Sequence, residues 1–150
     1  MSRNRTMVQA SPETIFAVLS DPRAYARFVV GNKLVRHFEP AFPEPGSGFH
    51  PTLGVGPLVL RDTTRVVEAD SPRQLVLDAG MRPFAVNRTA FRLEPRGGLT
   101  EVEVEEYPVA GPAAKVWNRA LDAILWLRNA ELLRRLKKLA EQRQAQRAEL

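Results

Sequence analysis

Cysteine is absent from this 150-residue chain, which excludes a disulfide framework, a thiol nucleophile and a cysteine-ligated metal site. Histidine is scarce, with only two, His37 and His50. Neither has a second histidine or an acid at helical or hairpin spacing, so no metal site is read. No Gly-rich loop precedes a helix; Gly46-Ser47-Gly48 leads into a strand pattern, so no phosphate cradle and no cofactor motif is expected. Long apolar runs are also missing. The longest, Ala123 to Leu127, falls far short of the ~20 residues that cross a bilayer. No hydrophobic stretch of signal-peptide length follows Met1-Ser2-Arg3-Asn4-Arg5. Together these absences predict a soluble, cytoplasmic, cofactor-free protein with no membrane insertion.

What is plentiful is positive charge and proline. Lysine and arginine number 22 against 17 acids, a formal charge of +5. Much of the excess lies at the carboxy end, in Arg134, Arg135, Lys137, Lys138, Arg143 and Arg147. No aromatic side chain is interleaved there to stack bases, so a solvated helix face is expected and no nucleic-acid partner. The length suits one domain with its own core.

Along the chain, Thr6 to Gln9 reads as a strand. Ser11 and Pro12 then form a cap and first turn for a helix to Leu19, and Ser20-Asp21-Pro22 opens a second short helix to Val29. Strand patterns follow over Lys33 to Glu39, Phe49 to Leu53, Leu58 to Ala69, Gln74 to Gly80, Phe84 to Glu94 and Leu99 to Val109. The short Gly/Pro/Asp turns between most of them predict an antiparallel meander. From Pro112 to Arg147 no Gly or Pro interrupts the chain, which predicts one long helix. Its apolar arc carries Val116, Ala120, Ala123, Leu127 and Ala130 on one flank, and Trp117, Leu121, Ile124 and Leu132 on the other. At 1.5 Å per residue such a helix measures about 54 Å, longer than the globule. Residues 1–140 are therefore expected to form the domain, and 141–150 a polar helical overhang or frayed tail.

The phrases Ala10 to Pro22, Arg65 to Leu75, Phe91 to Val102 and Asn129 to Glu141 resemble those of the SRPBCC or START-like superfamily, within it the polyketide cyclase/dehydrase and lipid transport group. The resemblance implies an α+β helix-grip (Bet v 1-like/START-like) fold. In it a curved antiparallel β-sheet wraps around a long C-terminal helix, with two short helices after the first strand. It further implies a deep, mostly apolar cavity that takes lipids, sterols, polyketides or other hydrophobic small molecules. Some members catalyse and many only bind.

Strand parity names the residues that face such a cavity. Asn87 and Thr89 share the side of Phe91, Glu106 that of Val104, and Asp62 that of Thr64 and Val66. Asp62, Asn87, Thr89 and Glu106 are the polar candidates, with Phe91, Trp117, Leu121 and Ile124 as apolar wall. Arg88 and Arg92 are expected on the outer face, paired with glutamates. Arg82, at a strand junction, is a candidate for a ligand carboxylate and more simply a solvated turn arginine.

Three functions fit this pattern. One is binding of a hydrophobic small molecule or lipid. Another is a cyclase or dehydratase in which Asp62 or Glu106 serves as general base and Asn87 polarises a carbonyl. The third is an interaction module using the basic helix. Trp126, on the polar side of that helix with Leu133 as its neighbour, is either a lone exposed residue or part of a homodimer or partner surface on the outer face.

Overall fold

The computed structural model describes residues 1–55, 57–81, 85–116 and 118–149. Strand β1 (Ser2–Val8) leads into α1 (Pro12–Leu19), a 3-10 turn (Pro22–Ala24) and α2 (Tyr25–Phe28). Seven further strands follow: β2 (Asn32–Phe38), β3 (Gly48–Val55), β4 (Leu58–Arg61), β5 (Thr63–Asp70), β6 (Gln74–Met81), β7 (Ala85–Arg96) and β8 (Leu99–Ala110). A 3-10 turn (Pro112–Val116) precedes the closing helix α3 (Arg119–Ala148). The strands form one antiparallel sheet in the order β1-β8-β7-β6-β5-β3-β2, with β4 on β3. This is the α+β helix-grip architecture that the sequence predicts.

Local chemistry fixes the element ends. The Ser11 hydroxyl accepts from the Thr14 amide and Pro12 begins α1; Asp21 accepts from the Arg23 amide beside Pro22. Gly97 and Gly98, with φ of 54° and 88°, supply the left-handed pair that the two-residue β7–β8 turn requires. Gly80 is needed for a different reason. A Cβ there would lie 2.7 Å from the Val86 Cα on the neighbouring strand.

The core gathers Ile15 and Leu19 of α1, Phe91, Val102 and Val104 of the sheet, and Leu132, Leu133 and Leu136 of α3. Tyr25, Phe28 and Phe49 close one side, with the Tyr25 ring 4.6 Å from Phe28 and 4.8 Å from Phe49. The buried Tyr25 hydroxyl donates to the Leu19 carbonyl at 2.7 Å, and burial pushes its pKa up. Arginines line the outer face as expected. Arg92 pairs with Glu103 and Glu105, but Arg88 grips Asp78 rather than a glutamate, at 2.8 and 3.0 Å, because β6 lies opposite it in register.

Three expectations need correction. The predicted single strand Leu58 to Ala69 is two, broken at Asp62, because β3 pairs with β4 through Thr52–Val55 and with β5 through Gly48 and Phe49. The long helix does not begin at Pro112. Residues 112–116 form a 3-10 turn, and Asn118 caps α3 by accepting from the Leu121 amide. Nor do residues 141–148 overhang. They continue α3, which is 30 residues long, about 45 Å, and its last turns dock on α1. Glu141 accepts from the Gln9 amide, Gln144 from the Ser11 amide and the Thr14 hydroxyl, and Arg147 donates to Thr14. The globule radius underlying the overhang treats the domain as a sphere, whereas the β1–α1 junction reaches along the helix and gives its polar end partners.

Among the described residues no helix is long and apolar enough to cross a membrane.

Candidate ligand cavity

Curvature of the sheet around α3 leaves a cavity of about 390 Å³, within the size range of small-molecule sites. Its walls are mainly apolar, formed by Tyr25, Val29, Phe49, Leu77, Phe91 and Leu132. All five residues placed inward by strand parity line it: Asp62, Asn87, Thr89, Phe91 and Glu106. Parity survives because the irregularity in β7–β8 pairing falls between Val86 and Asn87, at the end of the hairpin, and leaves Asn87 to Phe91 in phase.

Polar groups concentrate around Glu106, which is only 5% exposed. Its carboxylate accepts from Asn87 Nδ2 at 3.2 Å and from Asn129 Nδ2 at 2.9 Å, and lies 3.6 Å from an Arg128 guanidinium nitrogen. Arg128 also donates to the Val30 carbonyl at 3.3 Å, tying α3 to the segment after α2. Asp62 enters elsewhere, at the β4–β5 break, where its carboxylate accepts from the Thr63 amide at 2.6 Å. The strand order puts three strand intervals between β5 and β8, roughly 14 Å along the curved surface. The structure thus brings Asn87 and Glu106 into contact and leaves Asp62 on another part of the same wall.

The helix wall differs from the prediction. Among the described residues of α3, the buried ones are Leu125, Asn129, Leu132, Leu133, Leu136 and Ala140. Ile124 is 63% exposed and lies about 100° round the axis from Leu125; it is not wall. Leu121 shares the face of Leu125 but sits a turn earlier, in the first turn after the cap, and does not reach the cavity. Leu132 takes the place assigned to both. Trp117 and Arg82 lie outside the described residues. Leu133, expected beside Trp126 on the outer face, is 3% exposed. The two share a helix face, but Leu133, two turns on, falls where α3 has entered the core, and Trp126 remains half exposed.

Sequence reasoning missed Asn32, Arg128 and Asn129. Asn129 had a readable signal, since it is the one polar member of the 125/129/132/136/140 stripe. Asn32 and Arg128 had none, because their positions depend on how the α2–β2 turn meets α3. The two histidines face one another through the β2–β3 register, rings 5.9 Å apart, with His50 Nδ1 3.2 Å from the Thr63 hydroxyl. Among the described residues no group of three histidines, cysteines or acids is placed to hold a metal.

Comparison with known proteins agrees with this architecture. The chain matches the family described as polyketide cyclase / dehydrase and lipid transport over residues 2–141. No curated protein matches it in sequence. Among solved structures, a Chromobacterium violaceum protein superposes with a TM-score of 0.70 at 15% identity, over 93% of this chain and 96% of that one. A Rhodobacter sphaeroides protein gives 0.68 at 20% identity, over 92% and 91%. DynU16, described as a protein of the dynemicin biosynthetic locus, gives 0.68 at 15% identity, over 93% of this chain but only 46% of its own. At these identities the likeness is one of fold.

Proposed function

Because the chain belongs to the polyketide cyclase / dehydrase and lipid transport family, we propose that it holds a hydrophobic small molecule or lipid between the sheet and α3. The observation that carries this reading is the 390 Å³ cavity itself, walled by aromatic and aliphatic side chains with buried polar groups at defined points. Affinity would come from apolar area, about 2.5 kcal/mol per 100 Å² of ligand surface removed from water, less the cost of immobilising the ligand. Orientation would come from the polar groups.

A second reading, catalysis of the cyclase or dehydratase type, is favoured by one feature, a buried carboxylate facing the cavity with an amide beside it. Glu106 with Asn87 would be the working pair. Asp62, three strand intervals away along the sheet, serves less well as partner in acid/base work, which needs both groups within reach of one reacting centre.

Titration with the neutral fluorophore N-phenyl-1-naphthylamine tests the binding reading. We expect saturable fluorescence enhancement at one site, and its loss in Ala79→Phe, which fills the cavity from β6 while leaving the circular dichroism spectrum unchanged. Absence of enhancement in the wild-type protein, or undiminished binding in a folded Ala79→Phe, would refute it.

A further inference from the structure

The hydrogen bonds around Glu106 determine more than its own position. A carboxylate accepts only, so the amides of Asn87 and Asn129 must each turn their NH₂ group toward it, and their oxygens are thereby directed elsewhere. Among the described residues neither Asn87 Oδ1 nor Asn129 Oδ1 has a hydrogen-bond partner, and both atoms are buried; the same holds for Asn32 Oδ1, which comes from β2 at the far edge of the sheet. Asn129 is 0% exposed and Asn32 7%. Asn32, Asn87 and Glu106 all line the cavity. Buried acceptors without donors cost on the order of 1–3 kcal/mol each, and a fold that keeps three near one cavity has a reason to meet donors there.

The charge distribution points the same way. Among the described lining residues the carboxylates are Glu106 and Asp62, and the cation, Arg128, is already shared between Glu106 and the Val30 carbonyl. An anionic headgroup would meet repulsion from Glu106 and compete for an engaged arginine. A neutral hydroxyl or phenol meets no such repulsion and can donate to the unpartnered Asn87 Oδ1.

On the premise that the cavity binds small molecules, we infer that its ligand is an apolar skeleton carrying hydroxyl or phenol donors at the end that reaches Asn87 and Glu106, and not a fatty acid or other carboxylate. The Asn87 amide oxygen accepts such a donor, and Leu77, Phe91 and Leu132 cover the skeleton.

Three probes of one ring system test this by calorimetry: 2,3-dihydroxynaphthalene, 2,3-dimethoxynaphthalene and 2-naphthoate. The diol is expected to bind roughly tenfold tighter than the dimethyl ether, as one or two net hydrogen bonds allow, and 2-naphthoate weakest. Asn87→Leu should reduce the diol's advantage severalfold while dimethoxynaphthalene binds as before. That last comparison also shows the variant's cavity to be intact. Glu106→Gln, whose own amide can donate to the neighbouring oxygens, should reduce the same advantage and serves if Asn87→Leu does not fold. Equal affinity for diol and diether would overturn the inference and leave small-molecule binding standing, as would tightest binding of 2-naphthoate, which would make Arg128 the anchor. Failure of all three probes together with N-phenyl-1-naphthylamine would overturn both.

Discussion

Gln144→Ala should cost this protein roughly 1–2 kcal/mol, although the residue lies in the carboxy-terminal stretch that composition alone marks as tail. Its Oε1 accepts from the Ser11 amide at 3.1 Å and from the Thr14 hydroxyl at 2.9 Å. The first bond satisfies the N-cap residue of α1; the second reaches a side chain only 1% exposed. A net contribution of about 0.5–1.5 kcal/mol per bond sets the scale. Two offsets lower the sum: the Thr14 hydroxyl retains its contact with Ser11 Oγ at 3.0 Å, and alanine gains a few tenths in helix propensity. For a chain of this length, about 1.5 kcal/mol corresponds to a fall in Tm of roughly 3–6 °C. Gln142→Ala makes the proper control, because Gln142 is exposed in the same helical turn and carries the same propensity change. Urea and thermal melts followed at 222 nm would compare the two variants. If both melted with the wild-type protein, docking of the last turns of α3 onto α1 would contribute nothing, and the tail would behave as an overhang after all.

Acid should destabilise the fold through its outer face. Burial opposes ionisation of Glu103 and Glu105, but hydrogen bonds from Arg5 and Arg92 to Glu103, and from Arg3 and Arg92 to Glu105, outweigh it and hold both carboxyls below the ordinary value of 4.5. A carboxyl lowered in the folded state contributes stability that is complete above its unfolded value and disappears as pH falls through the folded one. Tm should therefore be level from pH 7 to about 5 and drop below about 4.5, and Arg92→Gln should flatten that drop; an unchanged acid slope in the variant would count against the network. On α3, Ile124→Ser should change stability by less than about 0.5 kcal/mol, whereas Leu136→Ala, at a side chain 1% exposed, should cost about 2–5 kcal/mol. Equal losses in urea titrations would restore Ile124 to the wall.

The sheet side of the cavity was legible in the sequence and the helix side was not, for a physical reason. A strand's two-residue period is rigid, so the facing of Phe91 and Val104 carried over to Asn87, Thr89 and Glu106 across a hairpin with a defined two-glycine turn. A helix face is fixed only once the start of the helix and the depth of its neighbours are known. The apolar arc from Val116 to Leu132 that includes Ile124 requires a helix beginning at Pro112. In the structure the 3-10 turn and the Asn118 cap intervene, and the buried stripe starts at Leu125. Leu133 and Trp126 show the same limit along the axis, being equivalent in angle yet different in cover. The break at Asp62 was invisible because it arises from one strand, β3, serving two partners.

Gly80 sets a boundary on how this cavity can be reshaped. With the Val86 Cα 2.7 Å from where a Cβ would stand, that stretch of wall is peptide backbone against backbone, and no larger residue enters without moving β7. The alanines close by in the lining, Ala79 and Ala85, already carry a Cβ. A selection for narrower ligands would therefore find its first usable substitutions there, and would have to leave position 80 as it is.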